Sequence, residues 1–223
     1  MDNAFFPGGS GLYEGRRAKP SVGGALILGS DFGCLEEFVD PAGKLIHTDE
    51  RFTNATWKGL RKILETVPID VGECFFTNAW PFLHRAKDGE GASNLGTSID
   101  AWLGDTELMQ SCLQFFKVTL ATLKPRLIIA LGTGPAAFLG HYWPEDLGSW
   151  RARTWKDVDK KPFKTVKYDG RTNEAICVVI THPSMSNSNW RNREPKYQQL
   201  MGEARLLKEA ADRAGILPSA GKG

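Results

Sequence analysis

The chain has 223 residues, 41% hydrophobic and 24% charged, with a net charge of +2 and a pI near 8.3. That is the make-up of a soluble globular domain with a sizeable core, and so small a charge excess decides neither for nor against a nucleic-acid partner. No apolar run reaches the roughly 18 residues of a membrane helix, and the N-terminus lacks the basic start and apolar stretch of a signal peptide, so a cytoplasmic protein is expected.

In chain order, residues 1–23 are rich in Gly, Pro and Arg and read as an arm. Residues 24–217 read as a single domain, and 218–223 as a frayed tail. Gly24–Gly33 (GALILGSDFG) is an apolar run stopped by a polar turn, hence a buried strand and its loop. Asn54–Val67 places Trp57, Leu60, Ile63, Leu64 and Val67 at helical spacing, with Asn54 as N-cap. Glu73–Pro81 (ECFFTNAWP) is a second strand and loop. Thr106–Lys124 is a helix opened by Asp105-Thr106 and stopped by Pro125. Arg126–Gly132 (RLIIALG) is a third strand with a short helix after it. Glu174–Pro183 (EAICVVITHP) is a fourth, and Glu194–Gly215 is the closing helix. Alternating apolar strands and helices predict a three-layer α/β/α sandwich around a mainly parallel four-stranded sheet. Two insertions interrupt the rhythm, Phe82–Leu103 and the basic His141–Asp169. The four cysteines, Cys34, Cys74, Cys112 and Cys177, form no Cys-x-x-Cys pair, which argues against a zinc ribbon or an iron–sulfur cluster.

Open α/β sheets bind ligands at the carboxyl ends of their strands. All four strands end in polar loops that would share one rim: Ser30-Asp31-Phe32, Thr77-Asn78-Ala79-Trp80, Gly132-Thr133-Gly134 and Thr181-His182-Pro183-Ser184. Each residue alone has a bland reading. Asp31 can cap the turn after its strand, or act as the nucleophile of a hydrolase elbow. Asn78 can form a turn, and His182 can be a structural histidine. Gly132–Ala137 (GTGPAA) fits a relaxed dinucleotide-binding pattern, but it follows the third strand and lacks a strand-end acid about 20 residues on.

The ordered set of strand-end Asp, strand-end Asn and strand-end His-Pro-Ser resembles the uracil-DNA glycosylase superfamily. LILGSDFG is similar to its first motif, FFTNAW to its base-reading strand, RLIIALGTGPAAFLG to its third strand and helix. VVITHPSMSNSNWR is similar to its second motif, His-Pro-Ser followed by a DNA-intercalating loop. The resemblance implies that Asp31 assists the attacking water and the sugar cation. It implies that His182 donates to the pyrimidine O2 of the leaving base and that Asn78 reads the base edge. Phe52, or alternatively Phe32, would stack on the base. Ser184 and Ser186 would meet phosphates, Met185 or Trp190 would be the wedge, and Arg191 and Arg193 the phosphate clamps. The basic residues of the second insertion, Arg151, Arg153, Lys156, Lys160, Lys161, Lys164 and Lys167, would track the DNA backbone.

Phe32 and Gly33 stand where the strictest uracil-specific branch has Pro and Tyr. That Tyr blocks a C5 substituent, so Gly33 opens the pocket to C5-modified pyrimidines, including hypermodified bases of phage DNA. The expected protein is a monofunctional, monomeric DNA glycosylase that flips its base and needs no metal and no cofactor. Its partner is DNA rather than a membrane, in repair or in anti-phage defence. A catalytically silent DNA-binding module on the same fold is the reading from a different class.

Overall fold

Among the described residues five segments build one sheet: β1 (Ala25–Gly29), β2 (Phe75–Asn78), β3 (Leu127–Leu131), β4 (Phe163–Tyr168) and β5 (Asn173–Ile180). This is a computed structural model that describes residues 21–32, 42, 44, 55–82, 95–170 and 172–217, the side chains of 95–98 and 185–187 excepted. The strand order is β2-β1-β3-β5-β4. β2, β1, β3 and β5 are parallel, and β4 runs antiparallel along β5 at the edge.

The helices are α1 (Ala55–Thr66), α2 (Leu95–Gly104), α3 (Thr106–Leu123), α4 (Thr133–Tyr142), α5 (Pro144–Leu147), α6 (Trp155–Asp159), α7 (Ser186–Asn189) and α8 (Gln199–Arg213). Strand side chains alternate between two cores. Ile27, Phe76, Ile129, Val178 and Ile180 face α1 and α8, where Trp57, Leu60, Leu207 and Ala210 meet them. Leu28, Ile128, Ala130 and Val179 face α3 and α4, where Phe116, Leu120 and Phe138 meet them. Both faces of the sheet are therefore covered, which is why β1, β3 and the second half of β5 are unbroken apolar runs.

The three-layer architecture matches expectation, with one strand more than the four anticipated. β4 lies inside the second insertion, for which the sequence predicts a basic stretch without a strand. Its burial alternates: Val166 and Tyr168 point inward, while Thr165 and Lys167 are exposed. The turn into β5 is made by Asp169 and Gly170, both at positive φ, the geometry that favours Asp-Gly in tight hairpins. The two insertions thus carry α2 and α5 to β4 rather than plain loops.

Asp105 caps α3 as expected, its carboxylate accepting from the Leu108 N–H at 3.0 Å. Lys124, left-handed at φ 45, ends that helix before Pro125. The closing helix begins at Gln199 rather than Glu194. Pro195–Tyr197 forms a separate 3-10 turn, and Gln199 sits at φ 63. Gly202 lets that turn lie on α8, since a Cβ there would be 2.8 Å from the Lys196 carbonyl. The Asn54 cap lies outside the described residues.

Candidate active site

The parallel register brings the strand ends level. Gly29 of β1 pairs with Asn78 of β2, and Leu131 of β3 with Ile180 of β5. The alignment continues into the loops. Ala79 and Trp80 donate to the carbonyls of Gly29 and Ser30, each at 2.9 Å, and Gly132 donates to that of Ile180 at 2.8 Å. Asp31 therefore follows the strand next to Asn78, and His182 follows a strand two places from β1. Three strand spacings separate β2 from β5, roughly 15 Å in all. Asp31, Asn78 and His182 lie along one rim of the sheet.

Asn78 is 3% exposed, and neither its amide nitrogen nor its amide oxygen has a hydrogen-bond partner among the described residues. Such groups are rare in folded proteins, since each costs about 1–3 kcal/mol if left unmet. Asp31 is half-buried. Phe32 is half-buried too and packs against the α1/α8 core. Phe52 and Gly33 lie outside the described residues.

His182 sits in a tightly held corner. Its Nδ1 is 2.8 Å from the Ser184 hydroxyl. Burial lowers its pKa to about 4, so the ring is neutral at pH 7. The next residue, Pro183, lies on α1 at Gly59, where a Cβ would be 2.8 Å from both Pro183 Cβ and its carbonyl oxygen. Gly132 approaches from β3: at φ 95, its Cβ would meet His182 Cβ at 3.3 Å. Gly59 and Gly132 are thus the small residues that let the corner seat.

A family model described as the uracil DNA glycosylase superfamily matches residues 39–204. The chain belongs to that superfamily. The matched span holds Asn78 and the whole His182 corner, while Asp31 lies ahead of it. Membership in the superfamily makes glycosylase action on DNA the coarse class of activity. No curated protein matches the sequence.

The stretch after His182, expected from the sequence to face DNA, leaves the sheet as short turns. Ser184 and Arg191 are exposed. Trp190 is half-buried and, with Gly59, Lys62, Pro183 and Leu200, lines a cleft of about 290 Å³ beside the corner. The side chains of Met185 and Ser186 lie outside the described residues. Arg193 corrects the sequence expectation of two phosphate clamps. Its side chain has no exposed surface, and it pairs with Asp159 and Glu203, each at 2.7 Å. Its guanidinium also lies 4.5 Å from the Trp155 ring centre. A phosphate cannot reach it.

The residues of the basic tract make local contacts. Arg151 donates to the Gly140 carbonyl at 2.9 Å, and Lys164 donates to that of Asp146. Arg153 pairs with Asp100, Lys160 with Asp157 and Lys167 with Glu174. Arg153 and Lys164 are half-buried, and the other five cations of the tract remain at the surface. Among the described residues no cluster of His, Cys, Asp and Glu is arranged to hold a metal ion, and no helix is long and apolar enough to cross a membrane.

Sequence reasoning missed Asp159, Glu203 and Gly59. Glu203 did leave a trace. It falls on the stripe of Leu206, Leu207, Ala210 and Ala214, so an acid stands on the buried face of an amphipathic helix. Gly59 left none, because a mid-helix glycine does not say what it touches.

Proposed function

We propose that the protein hydrolyses the N-glycosidic bond of a pyrimidine rotated out of DNA, leaving an abasic site. The observation that carries this reading is Asn78, a buried amide whose donor and acceptor are both unmet among the described residues, set level with the strand end that leads to Asp31. A pyrimidine edge, which offers N3 and a group at position 4, supplies both complements. Burying an amide in this state is costly in a merely structural turn and useful in a site that receives a base.

The chemistry needs positive charge stabilised on the sugar and negative charge stabilised on the departing base. Asp31 would orient or deprotonate the attacking water and face the sugar cation. His182 would meet the leaving anion. If the Ser184 hydroxyl donates to Nδ1, the ring proton sits on Nε2, and a neutral N–H is left to point at the pyrimidine O2. A donor in that role is worth roughly 3–4 kcal/mol of barrier. The step is balanced: water adds its oxygen to the sugar carbon, the C–N bond breaks, and the base leaves with its electron pair and takes up a proton. No lysine occupies a motif position, so hydrolysis without strand cleavage is the expected outcome.

The base is uracil or a C5-modified pyrimidine, the second admitted because Gly33 stands in place of the blocking Tyr. A glycosylase of that kind, acting on hypermodified phage cytosine, would serve in defence rather than repair. The test is a panel of duplexes bearing uracil, mismatched thymine, and hydroxymethylated or glucosylated cytosine, read for abasic sites. One of them releases its base, and Asp31→Asn lowers the rate by orders of magnitude while DNA binding persists. No release from any duplex, with binding intact, would instead make the protein a silent DNA-binding module.

A further inference from the structure

The stretch from Thr181 to Arg193 leaves the sheet and returns to the same place. Thr181 is 1% exposed, and its N–H donates to Glu203 Oε1 at 2.6 Å. Its hydroxyl donates to the same oxygen. Arg193 Nη1, at the far end, donates to that oxygen too, at 2.7 Å. The remaining guanidinium edge binds Asp159 of α6, and the Glu194 N–H reaches the other Asp159 oxygen at 2.7 Å. Glu203 is 2% exposed and Asp159 4%. One buried carboxylate oxygen on α8 therefore holds both feet of the loop. One foot directly precedes His182, and the other follows the exposed Arg191 by two residues.

We infer that Glu203 is a positioning residue, which fixes the His182 imidazole and the DNA-facing loop as one unit by tying Thr181 and Arg193 to a single oxygen. The inference rests on the reading of His182 as the group that meets the leaving base. A residue with a merely structural role would lower stability and leave the imidazole's hydrogen bonding unchanged. A positioning residue sets the angle at which Thr181 delivers His182 to the rim. Its loss should act on turnover more than on substrate binding, since misplacement by about 1 Å can cost about 10²-fold in rate.

The experiment compares Glu203→Ala and Glu203→Gln in the full chain with the base released in the panel above. Glu203→Ala removes the acceptor and should lower kcat about 10²-fold with KM changed less than about threefold. Glu203→Gln keeps an oxygen for Thr181 and should restore most of kcat. The nitrogen spectrum of His182, assigned by its loss in His182→Asn, supplies a second readout. The signals should move toward averaged tautomers in Glu203→Ala and stay in place in Glu203→Gln. Should Glu203→Ala not fold, Thr181→Val, which removes a hydroxyl donor without stranding a charge, should shift the same signals and lower kcat about tenfold. Unchanged kcat and unchanged imidazole signals in Glu203→Ala or Thr181→Val overturn the inference, as does a Glu203→Gln variant no better than Glu203→Ala. A wild-type protein that releases no base refutes the glycosylase reading, while the imidazole spectra still decide the role of Glu203.

Discussion

Adding one methyl group to α1 should damage catalysis without touching a catalytic residue. In Gly59→Ala the new Cβ would lie 2.8 Å from two Pro183 atoms, whereas ordinary contact begins at 3.4 Å. One of those atoms is the Pro183 carbonyl oxygen, so a side-chain rotation cannot relieve the clash. The His182-Pro183 corner or α1 itself must move by about 0.6 Å. Overpacking of this kind costs about 1–3 kcal/mol. Replacing a mid-helix glycine by alanine returns about 1 kcal/mol of helix propensity. Stability should therefore fall by at most about 2 kcal/mol. Base release should fall further, by about tenfold or more, since a shift approaching 1 Å at a catalytic group costs up to about 10²-fold. Single-turnover base release and thermal denaturation of the same preparation measure the two effects. Full activity combined with a raised Tm would refute the argument, because it would mean that the corner yields freely and that Gly59 does not set its position.

His182 makes a pH prediction. Its folded pKa, lowered to about 4, lies below the ordinary value of 6.5. The unfolded chain therefore binds the proton first, and this residue's share of stability is lost as pH falls from about 6.5 to about 4. Base release should show no acid limb from His182 near pH 6.5, and a limb there that vanishes in His182→Asn would contradict the neutral imidazole. The two arginines of the loop should behave oppositely. Arg191→Ala should weaken DNA binding and reduce the salt slope by about 1. Arg193→Ala should destabilise the fold by about 3–5 kcal/mol, because it strands Asp159 and Glu203, and should leave the salt slope unchanged; titration with duplex at several salt concentrations separates the two.

Much of the fold was legible because its signals are local. Ala25–Gly29, Leu127–Leu131 and the apolar end of β5 are uninterrupted aliphatic runs, and Asp105 and Pro125 mark the ends of α3 unmistakably. β4 was missed because its inward residues, Val166 and Tyr168, alternate with lysines that drew attention as charge. The rim of Asp31, Asn78 and His182 was legible as an ordered set of strand ends, since parallel pairing brings successive carboxyl ends to one edge. Arg193 was misread because a guanidinium two residues beyond Arg191 carries no sign of where it points. Only the acids of α6 and α8, distant in the chain, reveal that it turns inward.

A loop whose two feet share one anchor is already closed before its middle adopts any conformation. Most of the entropy of bringing its ends together is met by Thr181 and Arg193, so lengthening the intervening stretch costs only about 0.6 kcal/mol per doubling. The tip is thereby uncoupled from the scaffold and can be exchanged for sequences of other lengths with little penalty to the sheet. Grafting and natural variation alike can act on the tip, so its own contacts can diversify while the imidazole keeps its station.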